Sequence, residues 1–301
     1  MARSKKNSVR KTFGPLNIIL LVGLCIYVLS MFVMFGWGLI TSLKTNLEYS
    51  LNPLGFPEGH IWEWEWNNYV ITLRDYYVPL RRNGLIYRVG MMRMFINSII
   101  YAVGLCFLQS FMQCTMAYLV AKFNFKISKV IYAVVIVTMI LPIVGSLPSQ
   151  LQVVRALGFY DNMIGVYLLK ASFTGMYFLM FYAMFNGLPN DYIEAAYIDG
   201  AGNFMVYFKI VLPYVANTML TIALLSFIAY WNDYQVSVVY LPSSPTIAYG
   251  MFYYTQSANT ATSWPPMKIA GCMIMTFPIL VMFIFGHKRI MGKIYTGGIK
   301  G

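Results

Sequence analysis

Charge is scarce in this chain. Its 301 residues include 10 Asp or Glu and 22 Lys or Arg, 11% together, too few to clothe a soluble domain of this size. Histidine occurs only as His60 and His287, both at expected loop or flank positions, so an enzyme needing a nucleophile with its base, or a metal cluster, lacks its parts. Cys25, Cys106, Cys114 and Cys272 show no C-x-x-C spacing and fall in apolar stretches. They read as small buried hydrophobes, implying neither disulfide nor metal. No glycine-rich loop ends in Gly-Lys-Ser or Gly-Lys-Thr, which excludes that phosphate cradle. Acids are also missing from the centre of every long apolar run, where secondary transporters place ion-coupling groups.

Apolar surface is abundant: 59% of residues are hydrophobic and the mean hydropathy is +0.62. A helix crossing the hydrocarbon core needs about 20 mostly apolar residues. The stretches 16–40, 95–120, 130–151, 167–187, 214–234 and 267–286 qualify, predicting six spans. No charged residue lies between Lys11 and Lys44, between Arg93 and Lys122, or between Lys129 and Arg155. The first span is too long for the core of a cleaved signal peptide and is expected to stay.

Positive residues near the spans set the expected orientation. The 1–15 segment carries Arg3, Lys5, Lys6, Arg10 and Lys11, the 122–129 link carries Lys122, Lys126 and Lys129, and the 287–301 tail carries Lys288, Arg289, Lys293 and Lys300. Both ends are therefore expected in the cytoplasm of a bacterial plasma membrane protein, with the long 41–94 loop outside. Although the net charge is +12, the basic residues flank spans and form no single stripe, so anionic lipid headgroups are expected partners and nucleic acid is not.

Several segments carry polar groups into this apolar frame. The run ending at Gln150 holds Pro142 and Pro148, which fits a helix lining a pathway or a kink near the outer surface. Lys170 is the one charge well inside an apolar stretch; near the outer end of its helix, it is expected to snorkel to the headgroups, with a role in the pathway as the alternative. Tyr230, Trp231, Asn232 and Asp233 set rings beside an amide and a carboxylate, the combination a carbohydrate asks for, though a helix end at the polar interface reads the same way. Trp62, Trp64 and Trp66 read as an interfacial belt, with sugar stacking or contact with an outer protein as alternatives.

Between the fourth and fifth spans lies a polar break, 189–213. It reads Glu194-Ala195-Ala196, three residues with Asp199 the last, Gly200, nine residues, then Ile210-Val211-Leu212-Pro213. Pro189 closes the preceding run, and Asn190 or Asp191 can cap a short helix with Glu194 near its positive end. Gly200 and Gly202 permit a sharp turn, Asn203 can cap a second helix, and Pro213 is expected to stop it. The expectation is a helix-turn-helix elbow outside the bilayer.

That spacing resembles the EAA loop of ABC importer permeases. Ser42-Leu43-Lys44 with Asn52-Pro53, Asn97-Ser98, Trp231-Asn232-Asp233 and the glycine-rich end at Gly297 to Gly301 are similar to the carbohydrate-uptake branch, typified by the smaller maltose permease subunit. The resemblance implies an all-α membrane protein with six transmembrane helices and the type I importer permease fold, the core covering 95–286 with cytoplasmic coupling helices. It implies a second similar permease, two ATPase subunits, an extracellular solute-binding protein and a carbohydrate solute. ATP and magnesium would sit on the ATPases, with no cofactor on this chain. Glu194, Ala195, Ala196, Asp199, Gly200, Ile210, Leu212 and Pro213 become the coupling residues, and Gly298 and Lys300 secondary ATPase contacts. Tyr230, Trp231, Asn232, Asp233 and Gln150 are pathway candidates. Two alternatives remain open: a permease for another small polar solute, and half of a secondary transporter.

Overall fold

The computed structural model describes residues 14–82, 84–123, 125–141, 145–256 and 264–291. Gly298 and Lys300 lie outside the described residues, as do Pro142 and Asn83.

The chain opens with α1 (Pro15–Ser42), whose outer faces are aliphatic and exposed for most of their length. A short mixed segment follows: α2 (Asn46–Leu51), α3 (Asn67–Asp75), and the strands β1 (Tyr77–Arg82) and β2 (Leu85–Gly90). The strands pair antiparallel with Val78 opposite Val89 and Arg82 opposite Leu85. This hairpin departs from the all-α expectation. Its strands are rich in Val, Ile, Leu and Tyr, and Gly84 turns at φ +80°, a conformation glycine adopts without a Cβ penalty. A lone hairpin is marginal in water; here Val78 and Val89 are buried with Met91, Met94, Ile247 and Met251.

Among the described residues four helices are long and apolar enough to cross a membrane: α1, α4 (Met91–Lys122), the continuous helix Asn203–Trp231, and the Pro265–Gly286 portion of α14 (Pro265–Met291). The expected spans 130–151 and 167–187 are not single helices. The first is divided into α5 (Ser128–Ile140) and α6 (Leu147–Ala156), with Gly145 at φ +76° before Pro148 near the start of α6. The second is divided into α7 (Met163–Lys170) and α8 (Met176–Asn186) by an extended turn in which Gly175 takes φ +128°. Gln113 of α4 donates Nε2–H to the carbonyl of Thr174 at 2.9 Å, supplying a partner to backbone the break has freed.

The remaining elements are α9 (Asp191–Ile198), α10 (Asn203–Val206), a π-helical turn (Tyr207–Val211), α11 (Leu212–Trp231), α12 (Gln235–Val239) and α13 (Ile247–Gln256). At one end, Tyr118, Phe178, Phe181, Phe185, Tyr207 and Val211 form a core joining α4, α8 and α11. In hydrocarbon, apolar burial gains little over contact with lipid, so close packing and internal hydrogen bonds carry such a core. Gly38 shows the closeness: a Cβ there would come within 2.4 Å of Met273 on α14.

The segment between α1 and α4 is fastened by polar contacts. Lys44 is buried and donates to the carbonyls of Asn52 at 2.7 Å and Pro53 at 3.3 Å. The indole of Trp37 donates to Pro53 at 3.0 Å, while Asn68 donates to the carbonyls of Ser42 and Lys44. Asn97 and Ser98 tie α4 to the start of α13, Asn97 donating to the Pro245 carbonyl and Ser98 accepting from the amide of Ile247.

Candidate functional site

Two regions hold the residues singled out by sequence. The first is the elbow. Ile193 and Ala196 of α9 turn inward against Val206 and Tyr207, leaving Glu194, Ala195 and Asp199 on the open side. Asn190 does not cap α9 with its side chain; its Oδ1 instead accepts from Lys122 at 2.8 Å. The same ammonium donates to the Leu188 carbonyl at 2.5 Å, so the end of α4 holds the base of the elbow.

After α9 the chain reverses at Gly200, with φ +82°. The Gly200 amide donates to Tyr197 at 3.0 Å and that of Ala201 to Ala196 at 2.9 Å, the paired bonds of a Schellman end. Asn203 does not cap α10; Gly202 occupies that position, and the Asn203 side chain accepts from the Tyr197 hydroxyl at 2.8 Å. Nor does Pro213 stop the second helix. The π turn widens it so that the Leu212 amide reaches the Tyr207 carbonyl, and the helix runs through the proline into α11. A proline ring clashes with the carbonyl four residues earlier, and a wide turn moves that carbonyl aside. Ile210 and Leu212 are half-buried and Pro213 is exposed. The open surface of the elbow is apolar: Ile198 is 86% exposed, Phe204 83% and Tyr192 62%.

The second region gathers polar groups at the far end of α11. Helical geometry sends consecutive residues about 100° apart, so the four neighbours predicted there separate. Trp231 is wholly buried, donating to the Met275 carbonyl at 3.0 Å with its ring against Phe95 and Phe227, so it lines no pathway in this conformation. Asn232 is exposed and bonded to its own helix at Ile228. Tyr230 is half-buried and donates its hydroxyl to Gln109 of α4. Asp233 accepts from the Val236 amide at 3.1 Å, the Tyr101 hydroxyl at 3.0 Å and Lys170 Nζ at 2.5 Å.

Lys170 therefore does not reach for the headgroups. It closes α7 and pairs with Asp233, because a carboxylate a hydrogen bond away outweighs extending to a distant interface. Gln150 of α6 is exposed and accepts from the Tyr240 hydroxyl at 3.0 Å. Tyr101, Gln109 and Tyr240 were not singled out by sequence; the first two sit in the apolar run of α4 and Tyr240 in the turn after α12, where a lone tyrosine or glutamine carries no signal. A separate cavity of about 470 Å³, between α1, α3, α4 and α14, is lined by Phe35, Leu39, Leu73, Met92 and Phe277 among others. It offers almost nothing to bind hydroxyl groups.

Comparison with known proteins bears on both regions. The family model for the binding-protein-dependent transport system inner membrane component matches residues 113–287, spanning the elbow and the Asp233 cluster. The chain is 26% identical over 302 residues to the diacetylchitobiose uptake system permease protein NgcG of Streptomyces coelicolor, covering 99% of this chain and 92% of that one. It is 24% identical over 269 residues to the probable starch degradation products transport system permease protein AmyC of Thermoanaerobacterium thermosulfurigenes, covering 87% and 89% respectively. In fold it matches, with a TM-score of 0.70 at 18% identity, a chain of a bacterial ABC transporter involved in the import of the acidic polysaccharide alginate, covering 96% of this chain and 99% of that one.

Proposed function

Since the chain belongs to the binding-protein-dependent transport system inner membrane component family, we propose that it is the permease subunit of an ATP-driven carbohydrate importer, coupled to its motor through the 189–213 elbow. The family is a transport permease embedded in the membrane and working with other subunits and a binding protein, and this chain has the type I importer permease fold. On our reading the assembly holds a second, similar permease, two ATPase subunits on the cytoplasmic side and a solute-binding protein outside. ATP and magnesium sit on the ATPases, and the solute is an oligosaccharide or sugar derivative, as the names of the relatives suggest. Both termini lie in the cytoplasm, six passes are made with two of them broken, and Gly298 and Lys300 lie in a tail directed at the ATPases.

One observation carries the coupling role. The exposed apolar knobs of Tyr192, Ile198 and Phe204 stand on an elbow whose second arm is one continuous helix with α11. A partner gripping the knobs therefore pulls on the helix that ends at Trp231, two residues before Asp233. Glu194, Ala195, Ala196, Asp199, Gly200, Ile210, Leu212 and Pro213 shape that lever, while Tyr230, Asp233 and Gln150 face the solute at its far end.

The test is to replace Ile198 and Phe204 together by Glu in the complete importer. The variant is expected to insert normally, to lose its ATPase subunits during purification, and to lose solute-stimulated ATP hydrolysis. Full retention of both would remove the elbow from coupling. Stimulation by an amino acid or another small polar solute, with no response to any sugar, would replace the carbohydrate by that solute.

A further inference from the structure

We infer that the Lys170–Asp233 pair is the charge-selecting element of the pathway, presenting the solute with a net-neutral donor and acceptor so that uncharged, hydroxyl-rich molecules pass in preference to ionic ones. The inference rests on the permease reading above and adds the chemical class of the solute and the residues that select it.

The pair stands where a transport site is expected. Transporters bind solutes where spanning helices are discontinuous and ionisable groups face the protein interior. Lys170 ends α7 immediately before the break leading to α8, and Asp233 follows the last turn of α11 just before α12. Among the described residues only one other ion pair occurs, Arg74–Asp75, on the exposed end of α3. The side chains of Lys170 and Asp233 remain 26% and 18% exposed, so the pair is sheltered yet open to contact.

Its surroundings carry no net charge. Tyr101 donates to the carboxylate and holds it from beneath, Tyr230 and Gln109 are bonded to each other nearby, and Tyr240 joins Gln150. The next ionic groups along the chain are engaged elsewhere: Arg155 stacks over Tyr160 with 4.9 Å to the ring centroid, and Asp161 accepts from the Ser243 amide. An ammonium has three N–H donors, and a carboxylate has more lone pairs than its three present donors occupy. Hydroxyl groups of a neutral sugar can take a donor from Lys170 and offer one to Asp233 without separating them. A carboxylate or sulfonate on the solute would compete with Asp233 for Lys170 while being repelled by Asp233, and a cation would meet the mirror-image conflict.

Charge-matched thiol labelling tests this in the complete importer. Asn232, exposed beside the pair, is replaced by Cys in a chain whose Cys25 and Cys272 are Ser, and labelling rates are compared for anionic and cationic methanethiosulfonates of similar size. With the pair intact the two rates are expected to stand in the same ratio as for a free thiol. Asp233→Asn should shift the ratio toward the anionic reagent and Lys170→Met toward the cationic one. One unit charge about 10 Å away at an effective dielectric of about 20 should change each reagent's rate roughly tenfold, in opposite directions, so each shift in the ratio should be roughly a hundredfold.

The double variant Lys170→Met with Asp233→Asn should restore the original ratio, and an unperturbed rate for a neutral maleimide would show that the fold survives. In parallel, the intact importer should take up a neutral oligosaccharide in preference to its uronate-bearing counterpart. Labelling ratios that ignore both single substitutions would overturn the proposal, as would preferential uptake of the acidic solute. If no carbohydrate is imported at all, the solute reading of the previous section falls, and the labelling ratios still decide whether the pair sets the charge of the pathway.

Discussion

Gly200 isolates one physical cause. Its φ is +82°, and a Cβ added there would meet nothing within 4 Å, so replacement costs backbone strain with no steric clash inside the chain. For an L-residue the left-handed region costs about 1–2 kcal/mol, less for Asn, whose short polar side chain bonds locally. With about 1.4 kcal/mol per tenfold, the turned elbow should lose roughly fivefold to thirtyfold in population relative to opened alternatives in Gly200→Val, somewhat less in Gly200→Ala, and least in Gly200→Asn. The turn is held by the Gly200-to-Tyr197 and Ala201-to-Ala196 bonds, so those two amides report its opening directly.

Hydrogen exchange measured by mass spectrometry on the 196–204 peptide of the purified importer should accelerate in the order Asn, Ala, Val. Solute-stimulated ATP hydrolysis should fall in the same order while the amount of inserted protein stays constant. Two results would refute the reasoning in different ways. Equal exchange in all variants would mean that strain at residue 200 does not govern the turn. If Asn and Val abolish hydrolysis alike while Asn keeps normal exchange, contact of Gly200 with a partner, and no backbone cause, would set the requirement.

Two further predictions follow from burial and charge. Trp231→Ala should destabilise the protein by about 3–5 kcal/mol, the usual cost of truncating a buried large ring. Trp231→Phe, which forfeits mainly the bond to Met275, should cost about 0.5–1.5 kcal/mol; a large change in uptake kinetics with unchanged unfolding in either variant would return Trp231 to the pathway. In the first turn of α2, burial pushes the Glu48 carboxyl upward, but the amides of Thr45 and Glu58, bonded at 2.7 and 3.0 Å, prevail and hold it below its ordinary value of 4.5. Its stabilisation of α2 is therefore complete above that value and lost as pH falls through the lower folded one. Exchange in the 46–52 segment should rise on acidification below 4.5 in the native protein, and Glu48→Gln should abolish that dependence.

What could be read from sequence divides along the line between local and long-range causes. The apolar runs of α1, α4, α11 and α14 are long and uninterrupted, so composition alone located them. The Gly200 turn was legible because a single glycine followed a short alanine-rich helix. The hairpin had a signal too: Asn83-Gly84, between runs rich in Val, Leu and Tyr, is the residue pair that two-residue hairpin turns favour. Breaks in the expected spans 130–151 and 167–187 were harder to see, because hydropathy averages over a window and cannot register a turn whose backbone is satisfied by a distant side chain such as Gln113.

The polar cluster shows where single-chain reading ends. Lys170 and Asp233 are separated by 63 positions, and Tyr101 and Asp233 by 132. Nothing local in the sequence distinguishes a lysine that reaches the headgroups from one that reaches a carboxylate. The energetic choice between them depends on whether a counter-charge is delivered by another helix, and only the packing of α7 against α4 and the end of α11 delivers it. Taken singly, Asp233 reads as a solute ligand and Lys170 as a lipid anchor, and joining them alters both roles. A lone carboxylate would favour a cationic group and a lone ammonium an anionic one, whereas the pair offers both hydrogen-bonding senses and no net charge. Selectivity for a neutral polyol thus belongs to the contact between helices, which neither residue possesses alone.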